Sequence, residues 1–134
     1  MAFREKSAWV MAITLLIGAI VYFYLVASAD WPIVAKLPAF VVYTAVLIAL
    51  ATIGHIAIAV FSPKEANASA DEREKQIAHR ASHIASYVLG AGVLLGILIY
   101  LVVPLGDVLF YVVFASLMLS HLADYVAQIV LYRS

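Results

Sequence analysis

The sequence predicts an all-α, four-helix transmembrane bundle, antiparallel and up-down, with both termini in the cytoplasm. Composition, run length and loop charge carry the prediction. Of 134 residues, 66% are hydrophobic and 12% charged. Soluble domains are about half apolar and about a quarter charged. The apolar residues gather into four runs, roughly Ala8–Val26, Ala39–Phe61, Ala81–Val103 and Val108–Leu131. Each nears or exceeds the roughly 20 residues that a helix needs to cross a hydrocarbon core. Backbone polar groups in lipid must satisfy one another, so runs of this kind are helices. Lys and Arg set the orientation. Seven of them (Arg4, Lys6, Lys64, Arg73, Lys75, Arg80, Arg133) lie on one side and Lys36 alone on the other, which puts the ends and the middle loop inside.

The first helix is expected over about residues 8–28, stopped by Asp30-Trp31-Pro32. Its basic start and Ala27-Ser28-Ala29 also fit a cleaved signal peptide, but about 19 apolar residues exceed the 7–15 of a signal core. The second is expected over about 38–61, with Pro38 in its first turn and Ser62-Pro63 as its stop. A loop over about 62–70 leads to the third, about 70–103. There Ser69-Ala70-Asp71-Glu72 reads as a capping box, and Asp71 can pair with Lys75. Pro104-Leu105-Gly106-Asp107 turns the chain into the fourth, about 107–132. The whole reads as a single domain over residues 1–134.

Polar groups inside the spans need explaining, because hydrocarbon solvates them poorly. By helical periodicity, Thr44, Thr52 and His55 share a face of the second helix. His79, Ser82, His83, Ser86 and Gly90 share a face of the third, and His121, Asp124, Tyr125 and Gln128 one of the fourth. These stripes are expected to face the bundle interior. His55, Asp124 and His121 lie about 9, 10 and 15 Å from the inner ends of their helices on a 1.5 Å rise. All four histidines and the one mid-helix carboxylate thus fall in the cytoplasmic half.

The bland reading is interhelical glue. Such side chains bridge helices, and the fourfold spacings Ala78-Ser82-Ser86-Gly90 and Gly92-Gly96 permit close approach. The sharper reading is a site. A lone Asp in lipid costs roughly 2.5–3.5 kcal/mol on insertion scales. Asp124 is therefore expected to be neutral or paired, with His55, His83 or His121 as partners. His55, His83, His121 and Asp124 form a candidate metal set, for zinc above all. His55 and His121 on different helices are the candidate axial ligands of a b-type haem, offset by about 6 Å. A metal-dependent intramembrane lipid hydrolase is a further alternative. However, Ser120 and His121 are adjacent and point about 100° apart, and no catalytic residue is assigned. Zero net charge gives no reason to expect a nucleic-acid partner, and the absence of cysteine removes disulfides and thiolate ligands.

The stretch from Asp71 to Tyr87, DEREKQIAHRASHIASY, resembles the juxtamembrane motif of an uncharacterised family of small prokaryotic integral membrane proteins. In that family an Asp-Glu-Arg start leads into a membrane helix. The resemblance implies an inner-membrane protein and supplies no activity; His79 and His83 are not part of the pattern. The expectation is an accessory or self-associating subunit without catalysis of its own. Asp71, Glu72, Arg73 and Lys75 would provide its cytoplasmic contact with a second copy or a partner membrane protein.

Overall fold

The computed structural model describes residues 3–27, 37–66 and 69–134. Asp30-Trp31-Pro32, Ser28, Ala29 and Lys36 lie outside the described residues. The elements are α1 (Phe3–Ala27), α2 (Leu37–Phe61), α3 (Pro63–Ala66), α4 (Glu72–Val102) and α5 (Gly106–Arg133). Among the described residues there is no strand, and α1, α2, α4 and α5 are long and apolar enough to cross a membrane. The chain divides into two compact units, Met1–Ser69 and Ala70–Ser134.

In the first unit, α1 starts at Phe3 rather than near Ala8. The charged residues Arg4, Glu5 and Lys6 belong to its first turns, because a helix can run past its apolar stretch wherever polar partners meet its side chains. Lys6 Nζ donates to Ser62 Oγ at 3.1 Å and lies 3.8 Å from a Glu65 carboxylate oxygen. Glu65 belongs to α3, a single helical turn where the sequence suggested loop. Buried positions on α1 fall at Glu5, Ala8, Ala12, Leu15, Gly18 and Tyr22, the three-and-four spacing of one helix face, with Thr14 buried beside Leu15. Its contacts with α2 follow in order. Val10 Cγ1 is 2.5 Å from where a side-chain carbon on Gly54 would begin, and Leu47 and Tyr43 close on Gly18. Tyr22 meets Tyr43 edge to face at 5.6 Å. Early residues of α1 thus meet late residues of α2.

In the second unit, α4 opens on a capping box set two residues later than the sequence suggested. Asp71, not Ser69, is the N-cap: its Oδ1 accepts from the Glu74 N–H at 2.7 Å. Glu74 Oε2 accepts from the Asp71 N–H at 3.2 Å. Asp71 is therefore occupied, and Lys75 pairs with Glu72 instead, at 3.4 Å. At the other end the Val103 N–H closes on the Ile99 carbonyl, and Pro104 follows, where no helix N–H is available.

The face that α4 turns to α5 is built from small residues. Ala81, Ala85 and Gly96 are buried, and Ser120 Oγ on α5 donates to the Ala85 carbonyl at 2.9 Å. Gly92 lies against Ser116, and Gly96 against Val112 and Leu109. Near the start of α4, Arg73 donates to the Tyr132 carbonyl at 3.2 Å, its guanidinium 5.9 Å from that ring's centre. The other small-residue stripe is not used in this way. Ala78, Ser82, Ser86 and Gly90 are exposed, and a carbon added at Gly90 would meet nothing within 4 Å.

Candidate functional site

Polar side chains in the spans have two ways to satisfy their hydrogen bonds: folding back on their own helix or reaching a neighbour. The second unit uses mostly the first. His121 Nδ1 donates to the Leu117 carbonyl one turn back, at 2.8 Å, and the ring is exposed. Asp124 Oδ1 accepts from Gln128 Nε2 one turn forward, at 3.1 Å. Asp124 therefore has a glutamine where a histidine was expected. His83 is exposed; its carbonyl accepts from Ser86 Oγ at 2.7 Å, and its ring lies between those of His79 at 6.1 Å and Tyr87 at 6.5 Å.

The bonds at His121 and Asp124 are local to α5. Among the described residues, no group of three or more His, Asp or Glu side chains is placed to hold a metal ion. His83, His121 and Asp124 of the second unit do not form such a group, and His55 belongs to the first unit. The polar arc of α4 also differs from expectation. His79, Ser82, His83, Ser86 and Gly90 are exposed, while the small-residue arc beside them takes the contact with α5. The reason is distance: Ala and Gly let two helix backbones approach, and a histidine ring on the same face would hold them apart.

The first unit contains a pair that sequence reasoning missed. His55 Nδ1 lies 2.7 Å from the Ala51 carbonyl oxygen, and His55 Nε2 lies 2.7 Å from Ser7 Oγ. A carbonyl oxygen can only accept, so Nδ1 carries the hydrogen. In the neutral ring Nε2 then holds a lone pair, and the Ser7 hydroxyl donates to it. The other serine hydroxyls with described donations (Ser86, Ser116, Ser120 and Ser134) go to backbone carbonyls. Both Ser7 and His55 are partly exposed. The signal for Ser7 lay in topology. In an α1–α2 hairpin, the first turns of one helix meet the last turns of the other, and Ser7 is the hydroxyl nearest the level of His55. It falls outside the apolar run, so a search confined to the spans passes over it.

Chemically, this is an oriented imidazole with a hydroxyl on its basic nitrogen. The exposed α4 arc, in contrast, offers two rings and two hydroxyls to whatever covers it. No family model, characterised protein or solved structure matches this chain.

Proposed function

We propose that the protein is a multi-pass prokaryotic inner-membrane protein, an accessory or self-associating subunit that works through helix contacts made by α4. On this reading its four long helices run up and down in antiparallel order with both ends in the cytoplasm. The resemblance over residues 71–87 and the bias of basic residues support that placement.

One observation carries the reading: the exposed face of α4 bears His79, Ser82, His83, Ser86 and Gly90. A helix face given over to lipid has no reason to carry the His83 imidazole and the Ser82 hydroxyl, because hydrocarbon cannot hydrogen-bond them. A second helix supplies partners, and Ser82, Ser86 and Gly90 leave room for it. Outside the apolar stretch, Asp71, Glu72, Arg73 and Lys75 extend the same helix with exposed charge.

The chain has no cysteine, so single-thiol variants report one position each. Oxidising membranes that contain Ser86→Cys should give a cross-linked dimer or a cross-linked partner of defined mass. Leu119→Cys, exposed on α5, should not. Absence of a product at position 86, or equal products at both positions, would refute the reading.

A further inference from the structure

We propose that Ser7 is a reactive nucleophile activated by His55, able to accept an acyl group from an ester at the membrane surface. The inference is independent of the association reading, and it departs from the sequence-based expectation of a chain without chemistry of its own.

The argument begins with the tautomer. The His55 Nδ1–H is fixed on the Ala51 carbonyl, so Nε2 is the basic nitrogen, and it lies 2.7 Å from Ser7 Oγ. That is the contact a nucleophile–base pair requires: hydroxyl on the ring's lone pair, opposite nitrogen held by a third group. Ser7 and His55 come from different helices, 48 residues apart, and each is partly exposed.

Position supplies the substrate class. Ser7 follows Lys6, whose ammonium reaches Ser62 at the end of α2 and Glu65 on α3. Such charges belong in the headgroup layer, the band between the hydrocarbon core of about 30 Å and the full bilayer of about 40–45 Å. Acyl ester carbonyls of membrane amphiphiles occupy the boundary just beneath. The ionisable groups in this corner are Arg4, Glu5 and Lys6 of α1 and Lys64 and Glu65 of α3. In α2, His55 is accompanied only by Tyr43, near the opposite end.

The step balances without a cofactor. Ser7 Oγ forms a bond to the ester carbonyl carbon as its proton passes to His55 Nε2. The carbon–oxygen bond to the alcohol then breaks, and the alcohol leaves with that proton. Water attacks the acyl-serine next, gives a proton to His55, and releases the carboxylic acid as Ser7 recovers its hydrogen. The group behind the imidazole is a neutral carbonyl and not a carboxylate. It fixes the tautomer but stabilises the imidazolium less, so slow turnover is expected.

The test uses the full chain in detergent and a fluorophosphonate probe, which forms a phosphorus–oxygen bond to an activated serine and expels fluoride. Mass spectrometry should find the adduct on Ser7. His55→Gln offers Ser7 an amide acceptor but no base, so a merely structural bridge would leave labelling unchanged. General-base activation predicts a fall of about 100-fold. In the unmodified protein Ser7 should take the probe in preference to Ser86, whose hydroxyl is tied to a backbone carbonyl. No adduct on Ser7, equal adducts on Ser7 and Ser86, or a fall of less than tenfold in His55→Gln would each overturn the proposal. The comparison with Ser86 decides the matter if the variant does not fold.

Discussion

Gly92 and Ser116 touch across the α4–α5 contact so closely that a methyl group on the glycine would stand 2.5 Å from Ser116 Cβ. The serine cannot swing away to make room, because its hydroxyl is tied to the Val112 carbonyl at 2.6 Å and its Cβ is fixed to the helix. Overpacking of this kind costs about 1–3 kcal/mol. Gly92→Val should destabilise the second unit by that amount in an SDS-titration unfolding measurement. Gly106 is the internal control, since a carbon there meets nothing within 4 Å. Gly106→Ala should leave stability unchanged or raise it by up to about 1 kcal/mol through helix propensity. Equal losses at the two glycines would show that the contact is not where the packing is tight.

The start of α4 gives a second discriminating pair. Asp71 holds the Glu74 N–H and Glu74 holds the Asp71 N–H, so the cap belongs to Asp71. Asp71→Ala should cost about 0.5–2 kcal/mol. Hydrogen exchange should speed up at the amides of residues 72–75 in that variant. Ser69→Ala should change neither quantity. The opposite result would put the cap at the serine.

That two-residue offset illustrates how far the chain could be read in advance. The spans were legible because lipid imposes one rule, a long apolar run, and the runs ending at Phe61 and Val103 stop within a residue of the ends of α2 and α4. The cap was misplaced because Ser69 and Asp71 are both good N-caps with Glu three residues later, and only the fold decides between Glu72 and Glu74. Helix faces were half legible. Gly92 and Gly96 pack as their spacing suggested, whereas Ala78-Ser82-Ser86-Gly90, with the same spacing, does not. Periodicity says which residues share a face and not which face a neighbour takes. Depth grouped Asp124 with the histidines but left out their neighbours along α5, where the Leu117 carbonyl accepts from His121 and Gln128 donates to Asp124, each one turn away.

The proposed topology is open to direct labelling. Ser69 and Gly106 are both exposed, and neither lies in an apolar run. In inside-out membrane vesicles, a membrane-impermeant maleimide should modify Ser69→Cys, whereas Gly106→Cys should react only in right-side-out preparations. Reaction of both from the same side would reject the up-and-down arrangement. Inverted sidedness would reject the cytoplasmic ends.

Gln128 donates to Asp124 at 3.1 Å within α5. An amide facing a carboxyl is worth keeping only while both are present, because removing one partner leaves the other in poor solvent. An unmet polar group costs about 1–3 kcal/mol, and more if charged, whereas replacing both partners with apolar groups can be nearly neutral. Gln128→Leu alone should therefore lower the detergent melting temperature, and adding Asp124→Leu should restore most of the loss. A double variant less stable than Gln128→Leu would mean that Asp124 serves a second partner that the glutamine does not share.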